Sequence, residues 1–502
     1  MPTDAPAAGE MPNAPSLLRS GAFSLVTSAA PIIVALVALP ILTRQLGTER
    51  LGLLALAWAW LSYAALLDFG LGRALTRLVA ASDAGEALDA PIGAFVATAH
   101  VVLAAVGALV GLVGALVAPW YVTRVLQVSL DLRQDAITSA LIFALSVPLV
   151  TGASVPRAVL EARHRFRDVN FVRLPVSVGT FAVPLLLLPF TASLTAIAVT
   201  LAVIRAWAWW RYTALSRAVM PTSVSGGAAR RHLRPLLRAG AWLTVSNVLS
   251  PLMTVADRFL IGSSISVSAV ALYAVPWEAV TKLWIVPGAL MMVLFPAMSR
   301  AAAAEPRRLV PLHNAGIRLI ALIVVPVCAV AALLAPTLLS LAGGRQYVGD
   351  SVVVLRILAI GVAANCIGIV PVTMLQASGR ARWVALVHLA EVMPFLALIV
   401  LCVSRWSIIG AATAWTARVV VDAVVMARRA HAVAPLPAST YVLAASGVIA
   451  VAACAWTASV TSVDSRAPIV AAILIISACP VALWTQRRSA DRQVLSRAGG
   501  LG

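Results

Sequence analysis

The chain is a succession of about fourteen long apolar segments, and this pattern limits what it can fold into. Stretches such as 20–43, 92–118 and 382–404 consist mostly of Ala, Val, Leu, Ile, Gly and Trp. A helix of about 20 apolar residues covers the ~30 Å hydrocarbon layer of a bilayer and satisfies its own backbone hydrogen bonds there. The sequence therefore predicts an all-α integral membrane protein with about 14 transmembrane helices.

The composition agrees with a membrane protein. Hydrophobic residues make up 61% of the chain and charged residues only 11%, whereas about 25% is usual in soluble domains. We place the spans near residues 20–43, 51–71, 92–118, 136–156, 170–190, 191–215, 239–262, 267–299, 313–341, 351–377, 382–404, 407–427, 439–460 and 467–485.

The basic residues are unevenly distributed among the loops. Of the 38 Lys and Arg residues, 26 lie in or next to the N-terminus, the even-numbered loops and the C-terminus, and 7 lie in the odd-numbered loops. Because cytoplasmic loops are enriched in Lys and Arg, both termini are predicted to be cytoplasmic. The same distribution explains the net charge of +19 without a nucleic-acid partner. The first apolar run is too long for the core of a cleaved signal peptide, so we interpret it as a permanent span.

Two similar stretches, LLRSGA at 17–22 and LLRAGA at 236–241, indicate an internal repeat with an offset of 219 residues. The same offset aligns Trp58 with Trp277. Six predicted spans separate the two copies, so both copies have the same orientation in the membrane. The repeat predicts two parallel six-helix lobes around a central cavity, followed by two C-terminal helices, which is an architecture of membrane transporters.

The predicted organisation has five parts. They are a disordered cytoplasmic tail (1–16), an N-lobe with helices 1–6 (17–215), a basic cytoplasmic linker (216–238), a C-lobe with helices 7–12 (239–430), and helices 13–14 with a cytoplasmic tail (431–502). The linker arginines are explained by the predicted cytoplasmic side alone. A surface helix that contacts anionic headgroups or a substrate phosphate is the alternative.

Ionisable residues inside the predicted spans are the candidate binding residues. Each costs roughly 2.5–3.5 kcal/mol at the bilayer centre unless it faces a cavity or a partner. The basic candidates for a cationic cavity are Lys282, Arg418, Arg205, Arg258 and Arg356. The candidates for charge pairing or proton coupling are Glu278, Asp422, Asp257, Glu391 and His388. Arg258 and Arg356 lie a few residues from the predicted outer ends, where long side chains can reach the interface instead.

The strongest basic candidates also have a purely structural interpretation. Lys282 can pair with Glu278 at i,i+4 on one helix face. Arg418 can pair with Asp422 in the same way. The sequence leaves open whether each pair explains its cation completely or whether the cation binds a substrate.

Two further patterns concern the geometry of these groups. His388 and Glu391 share one face of predicted helix 11 at i,i+3, where they form either a proton relay or a buried polar pair. Predicted helix 8 contains Pro276, Pro287 and Pro296, and a proline inside a helix removes a hydrogen bond and clashes with the preceding turn. A break in helix 8 would change which charged groups face each other.

Five segments carry a family resemblance: DFGLGRALTR at 68–77, LEARHRFRDVNFVRLP at 160–175, ADRFLIG at 256–262, YAVPWEAVTKLWIVPGALMMVLFPAMSR at 273–300 and LQASGR at 375–380. In this order and spacing the chain resembles bacterial lipid-linked oligosaccharide flippases, from about residue 17 to 430. These belong to the multidrug/oligosaccharidyl-lipid/polysaccharide exporter superfamily. The resemblance implies alternating access in the bacterial inner membrane. It also implies that an undecaprenyl-pyrophosphate-linked oligosaccharide moves from the cytoplasmic to the periplasmic leaflet, for surface polysaccharide export.

Three other functions remain open at this point. A drug/cation antiporter of the same superfamily would share the two lobes, but some of these carry an acid in helix 1, where this chain has no charged residue between Arg19 and Arg44. A lipid II flippase is the second alternative. A membrane-embedded glycosyltransferase or polymerase is the third. It would need catalytic acids in sizeable periplasmic loops, whereas the odd-numbered loops are short.

The sequence therefore predicts a transporter rather than an enzyme, with no catalytic residue, no cofactor and no metal site. The five cysteines lie singly in apolar spans and indicate neither disulfides nor metal ligands. The expected partners are the lipid-linked glycan and membrane lipids, with a polysaccharide polymerase or glycosyltransferases of the same pathway as further candidates. A monomer is expected. The source of energy is open among the membrane potential, protons and sodium.

Overall fold

The computed structural model describes residues 14–64, 75, 79, 91–126, 128–163, 165–220, 249–250 and 252–460, with side chains from 30 to 459 apart from 343 and 345. Regular structure in these residues is helical throughout, and they contain no strand. The predicted all-α fold is confirmed. Most of the predicted tail 1–16, most of the linker 216–238 and the span 467–485 lie outside the described residues.

The helices are, in chain order, α1 (Ala14–Ala64), α2 (Ile92–Trp120), α3 (Leu130–Leu145), α4 (Val147–Gly152), α5 (Ser154–Ala162), α6 (Phe166–Leu187), α7 (Leu194–Val219), α8 (252–264), α9 (Val267–Thr281), α10 (Ile285–Ala304), α11 (Leu309–Leu333), α12 (Ala335–Gly343), α13 (Asp350–Ala377), α14 (Ala381–His431) and α15 (Ala438–Val460). A π-helical turn at Tyr121–Val125 and 3₁₀ turns at Lys282–Trp284, Pro306–Arg308 and Arg345–Tyr347 extend or connect some of them.

Within the described residues, nine helical segments are long and apolar enough to cross a membrane. They correspond, in whole or in part, to eleven of the predicted spans, because α1 and α14 each include parts of two. Helix α7 corresponds to the predicted span 191–215 and has 26 residues, but it is not among the nine segments. The protein is therefore a multi-pass membrane protein. Which side of the membrane each terminus faces stays a prediction.

The two longest helices are each interrupted where the sequence predicts a loop. In α1, Gly47 has φ 78° and ψ 166°, a left-handed conformation that glycine adopts without steric cost. In α14, Trp406 and Ser407 leave the helical conformation, and Ser407 has φ 53°. The repeat offset of 219 maps Gly47 onto Ser266, whose hydroxyl caps the first turn of α9. The two copies therefore interrupt their helices at equivalent positions.

The predicted break in helix 8 is present. Helix α9 ends at Thr281, a 3₁₀ turn follows at Lys282–Trp284, and α10 begins at Ile285. Pro287 explains the position of the turn, because it has no N–H and its ring would clash with the carbonyl of Leu283 four residues earlier. The break falls on Lys282 and so bears directly on the candidate site.

The chain divides into two compact units. The first unit consists of residues 1–38, 70–116 and 138–240, and the second of residues 39–69, 117–137 and 241–502. The first contains a core cluster formed by Leu160, Val169, Val172, Ala208 and Tyr212. In the second, α13 is buried along most of its length and forms the central helix of the packing. The lobe boundaries 17–215 and 239–430 stay predictions.

Candidate functional site

A polar cavity of about 520 Å³ lies in the second unit. Its walls come from α8, α9, α13 and α14, together with Ser62 of α1. The charged and titratable wall residues are Arg258, Glu278, His388, Arg418 and Asp422. These groups come from helices that are apolar over most of their length, so the cavity concentrates charge in a part of the chain where charge is otherwise rare.

One side of the cavity is a cluster of two cations around one acid. Glu278 on α9 forms an ion pair with Lys282 at 2.5 Å between Nζ and Oε2, and with Arg258 of α8 at 3.8 Å between Nη2 and Oε1. The guanidinium of Arg258 also lies 5.1 Å from the ring centre of Trp277. Lys282 is held beside the cavity through Glu278, in the 3₁₀ turn described above. The predicted i,i+4 pair of Lys282 and Glu278 is therefore present, and Arg258 joins it.

The other side is a cluster around Arg418 on α14. Its Nη1 lies 3.9 Å from Oε2 of Glu391 and contacts the sulfur of Met253 at 3.5 Å. The Glu391 and Asp422 carboxylates lie close to one another, and Nε2 of His388 lies 3.7 Å from Oδ1 of Asp422. Arg418 therefore forms its ion pair with Glu391, which lies on the other side of the break in α14. The i,i+4 spacing predicts Asp422 as its partner instead.

Several of these polar atoms are buried and lack a hydrogen-bond partner among the described residues. They are Nε and Nη2 of Arg258, Nε of Arg418, both carboxylate oxygens of Glu391, and Oδ1 of Asp422. Arg258 and Arg418 are only 6% and 7% exposed. Buried polar groups without partners are rare in stable proteins because each costs about 1–3 kcal/mol, more for charged groups. The cavity therefore holds donors and acceptors that a polar ligand can satisfy.

Three tryptophans add an aromatic wall to the same cavity. The ring centre of Trp277 lies 4.8 Å from that of Trp415 and 5.9 Å from that of Trp284. The indole N–H groups of Trp284 and Trp415 are buried and lack a hydrogen-bond partner within the described part of the chain. No pattern in the sequence predicts this wall, although the repeat aligns Trp277 with Trp58.

Asp257 holds α8 against α9. Its side chain is fully buried and accepts hydrogen bonds from the Tyr273 hydroxyl at 2.5 Å and from the Arg258 backbone N–H at 2.7 Å. Tyr273 lies 16 residues away on the next helix. No periodicity within one helix predicts such a contact, which is why the sequence analysis did not find Tyr273.

Two of the five predicted basic residues lie away from the cavity. Arg205 is in the first unit, where it is buried and donates to the carbonyl of Leu201 at 2.9 Å. Arg356 donates to the carbonyls of Ala458 at 2.8 Å and Ala332 at 3.3 Å, near the ends of α15 and α11. The structure therefore brings together Arg258, Lys282 and Arg418.

The three cations of the site face an equal number of carboxylates, Glu278, Glu391 and Asp422. The site is thus charge-balanced when all of them are ionised, rather than uniformly cationic. Across the described residues, no group of three or more His, Cys, Asp or Glu side chains is arranged to hold a metal ion.

The fold and the site define a class of protein: a polytopic helical membrane protein with a charged, aromatic-lined cavity among its helices. The chain belongs to the family described as polysaccharide biosynthesis protein, whose sequence profile matches residues 41–353. It is 27% identical over 424 residues to the "Putative O-antigen transporter" of Shigella flexneri, an alignment that covers 82% of this chain and 97% of that protein.

Solved structures of similar fold extend over nearly the whole chain. The lipid II flippase MurJ in an inward closed conformation has a TM-score of 0.70 and 10% identity, and covers 92% of this chain and 99% of its own. An inward-facing multidrug resistance MATE family transporter of the MOP superfamily has a TM-score of 0.58 and 14% identity, and covers 84% and 96%. These likenesses show the fold. The family membership and the O-antigen transporter relative confirm the predicted resemblance and the prediction of a transporter rather than an enzyme.

Proposed function

We propose that the protein flips an undecaprenyl-pyrophosphate-linked oligosaccharide from the cytoplasmic to the periplasmic leaflet of a bacterial inner membrane, for surface polysaccharide export. The observation that carries the proposal is the pair of buried guanidiniums, Arg258 and Arg418, whose unpartnered N–H groups line one membrane-embedded cavity. Charge-assisted hydrogen bonds from arginine are the preferred way in which proteins bind phosphate oxygens. Family membership and the O-antigen transporter relative support a polysaccharide precursor as the cargo.

The pyrophosphate binds by exchanging ion pairs. At present Glu278 holds Arg258 and Lys282, and Glu391 holds Arg418. A pyrophosphate that enters the cavity offers several oxygens to the same cations and takes over their hydrogen bonds. The released carboxylates, of which Glu391 and Asp422 already lie close together, then become sites for protons. The charge-balanced cluster becomes a cationic one only when the anionic substrate is present.

The first sugars contact the aromatic wall. The faces of Trp277, Trp284 and Trp415 offer apolar area, and the free indole N–H groups of Trp284 and Trp415 can donate to sugar hydroxyls. Alternating access then carries the bound head group across, while the lipid tail stays in the hydrocarbon layer. Both termini lie on the cytoplasmic side in this proposal. The protein acts as a monomer beside a polymerase or glycosyltransferases of the pathway.

The test is the identity of the intermediate that accumulates when the gene is deleted. We expect one lipid-linked oligosaccharide to build up in the inner leaflet, identified by mass spectrometry of extracted lipids. The wild-type gene should restore its export, and Arg258→Ala should not. Accumulation of lipid II would instead make the protein a cell-wall precursor flippase. A normal lipid profile together with increased sensitivity to cationic drugs would favour the antiporter alternative.

A further inference from the structure

A second cavity, of about 670 Å³, lies in the same unit among α11, α13, α14 and α15. Its walls are mostly apolar, with residues such as Ile317, Ile367, Val424 and Ile449. The polar side chains gather at one end, where the loop between α14 and α15 begins: His313, Arg428, His431, Thr440 and Tyr441. The cavity is therefore amphipathic along its length.

The cavity has the depth of one membrane leaflet. On α15 its lining runs from Thr440 to Ile449, which spans about 13 Å of helix, close to half of the ~30 Å hydrocarbon layer. Val424 and Ile449 are 46% and 65% exposed, so the apolar part opens at the protein surface. The polar end lies at Arg428 and His431 in the last turn of α14, next to a loop that the distribution of basic residues predicts to be cytoplasmic.

Two histidines at the polar end of the cavity have ring nitrogens that are available to a ligand. His313 is 2% exposed and lies near the Asn314 amide, but neither ring nitrogen has a hydrogen-bond partner among the described residues. The Asn314 oxygen already accepts from the Thr440 hydroxyl at 2.8 Å. His431 accepts from the backbone N–H of Leu436 through Nδ1 at 3.1 Å, which leaves Nε2 as its possible donor. The end therefore offers donors and positive charge, as an anionic group requires.

We propose that this cavity binds one anionic phospholipid of the leaflet on the side of the α14–α15 loop. An acyl chain fills the apolar part, and the headgroup phosphate lies at Arg428 with His431 and His313 as further donors. The tail of a lipid-linked substrate would fill the apolar part but would leave the polar end unexplained, since its own pyrophosphate occupies the other cavity. A helix of this chain laid over the cavity would bury Arg428 without an anion, which costs several kcal/mol.

The position of the cavity connects the lipid to transport. Gly368 of α13 and Ala423 of α14 line both cavities. A methyl group on Gly368 would lie 3.0 Å from the Cβ of Ala423, so the two helices pack closely between the cavities. The phospholipid consequently packs against α13 and α14, and α14 carries Arg418 and Asp422 in the polar cavity.

Native mass spectrometry of the purified full-length protein tests the proposal. The protein is titrated with phosphatidylglycerol or phosphatidylcholine of identical acyl chains. We expect about tenfold tighter retention of phosphatidylglycerol, as one charge-assisted contact provides. Arg428→Ala should abolish this preference. Arg429→Ala is the matched control, because Arg429 stacks on Trp383 at 4.7 Å and does not line the cavity.

A second pair of variants tests the apolar part. Ala444→Phe places a large side chain inside the cavity and should remove the bound lipid. Val442→Phe, on the same helix at a position that is 62% exposed and outside the lining, should retain it. Equal binding of the two lipids by the wild type, or full retention by Ala444→Phe, would overturn the proposal. So would an isoprenoid lipid as the species that remains bound to protein extracted from native membranes.

Discussion

At the scale of single residues, the cations of the polar cavity are held by carboxylates of two helices, Glu278 on α9 and Glu391 on α14. Charged residues in apolar runs are conspicuous in the sequence, because each is costly there unless it has a partner or faces a cavity. Spacing within one helix predicts the pair of Lys282 with Glu278, which is present, but not the pairs between distant positions. Arg418 pairs with Glu391, 27 positions earlier, and not with Asp422 one turn away. Contacts between distant positions depend on how the helices pack, which periodicity within one helix does not contain.

Lys282 is the most direct test at this scale, since it is the only lysine in the chain. If the proposed exchange of ion pairs is correct, Lys282→Ala should abolish complementation of a flippase-null strain, because the site then lacks one of the three cations available to the pyrophosphate. Lys282→Arg should retain substantial function, since a pyrophosphate accepts either cation. The readout is surface polysaccharide, measured together with the amount of protein in the membrane.

The double variant Lys282→Ala with Glu278→Gln separates substrate binding from structure. Lys282→Ala leaves Glu278 with Arg258 as its remaining cation, so any loss of protein caused by the weakened ion pair should be relieved when the carboxylate is removed as well. Loss of export that persists in the double variant, at normal protein level, supports a substrate role. Full export by Lys282→Ala would contradict that role and make Arg258 or Arg418 the principal phosphate ligand.

At the scale of helices, the sequence predicted most of the architecture. Long apolar runs determine helices in lipid, and Pro287 determines the break at Lys282–Trp284. The interruptions at Gly47 and Trp406 fall between predicted spans, and Ser407 is the first residue of the predicted span 407–427. What the sequence did not provide is the packing of these helices. The aromatic wall and the bond from Tyr273 to Asp257 both depend on which faces meet.

Gly52 tests one such packing contact. A Cβ at Gly52 would overlap the backbone carbonyl of Val267 at the start of α9, so Gly52→Ala must displace α1 from α9. We expect destabilisation of about 1–3 kcal/mol, seen as a lower midpoint of thermal unfolding in detergent. Gly93→Ala is the control, because a Cβ there has nothing within 4 Å and alanine favours helix. Equal midpoints for the two variants would contradict the close approach.

At the scale of the whole molecule, the orientation in the membrane rests on the basic residues. A cysteine-free protein with Gly227→Cys, in the linker, should resist an impermeant thiol reagent added to intact spheroplasts. Asp464→Cys, in the predicted loop before the last span, should react. Both positions lie outside the described residues, so the prediction depends on the sequence alone. Labelling of Gly227→Cys with protection of Asp464→Cys would reverse the orientation.

The direction of transport follows from the charge of the proposed cargo and the electric field across the membrane. An inside-negative potential favours outward movement of an anion by roughly 2.3 kcal/mol per charge per 100 mV. In proteoliposomes loaded with the lipid-linked oligosaccharide, collapse of a valinomycin-induced potassium diffusion potential by equal potassium on both sides should therefore slow flipping. Glu391→Gln removes one of the two neighbouring carboxylates that can take up a proton with the substrate. If protons accompany the pyrophosphate, this variant should depend more strongly on the potential than the wild type, because less of the moving charge is neutralised. A wild-type rate that is unchanged by the potential, and also unchanged in Glu391→Gln, would show that no net charge crosses the membrane and that a concentration gradient drives the transfer.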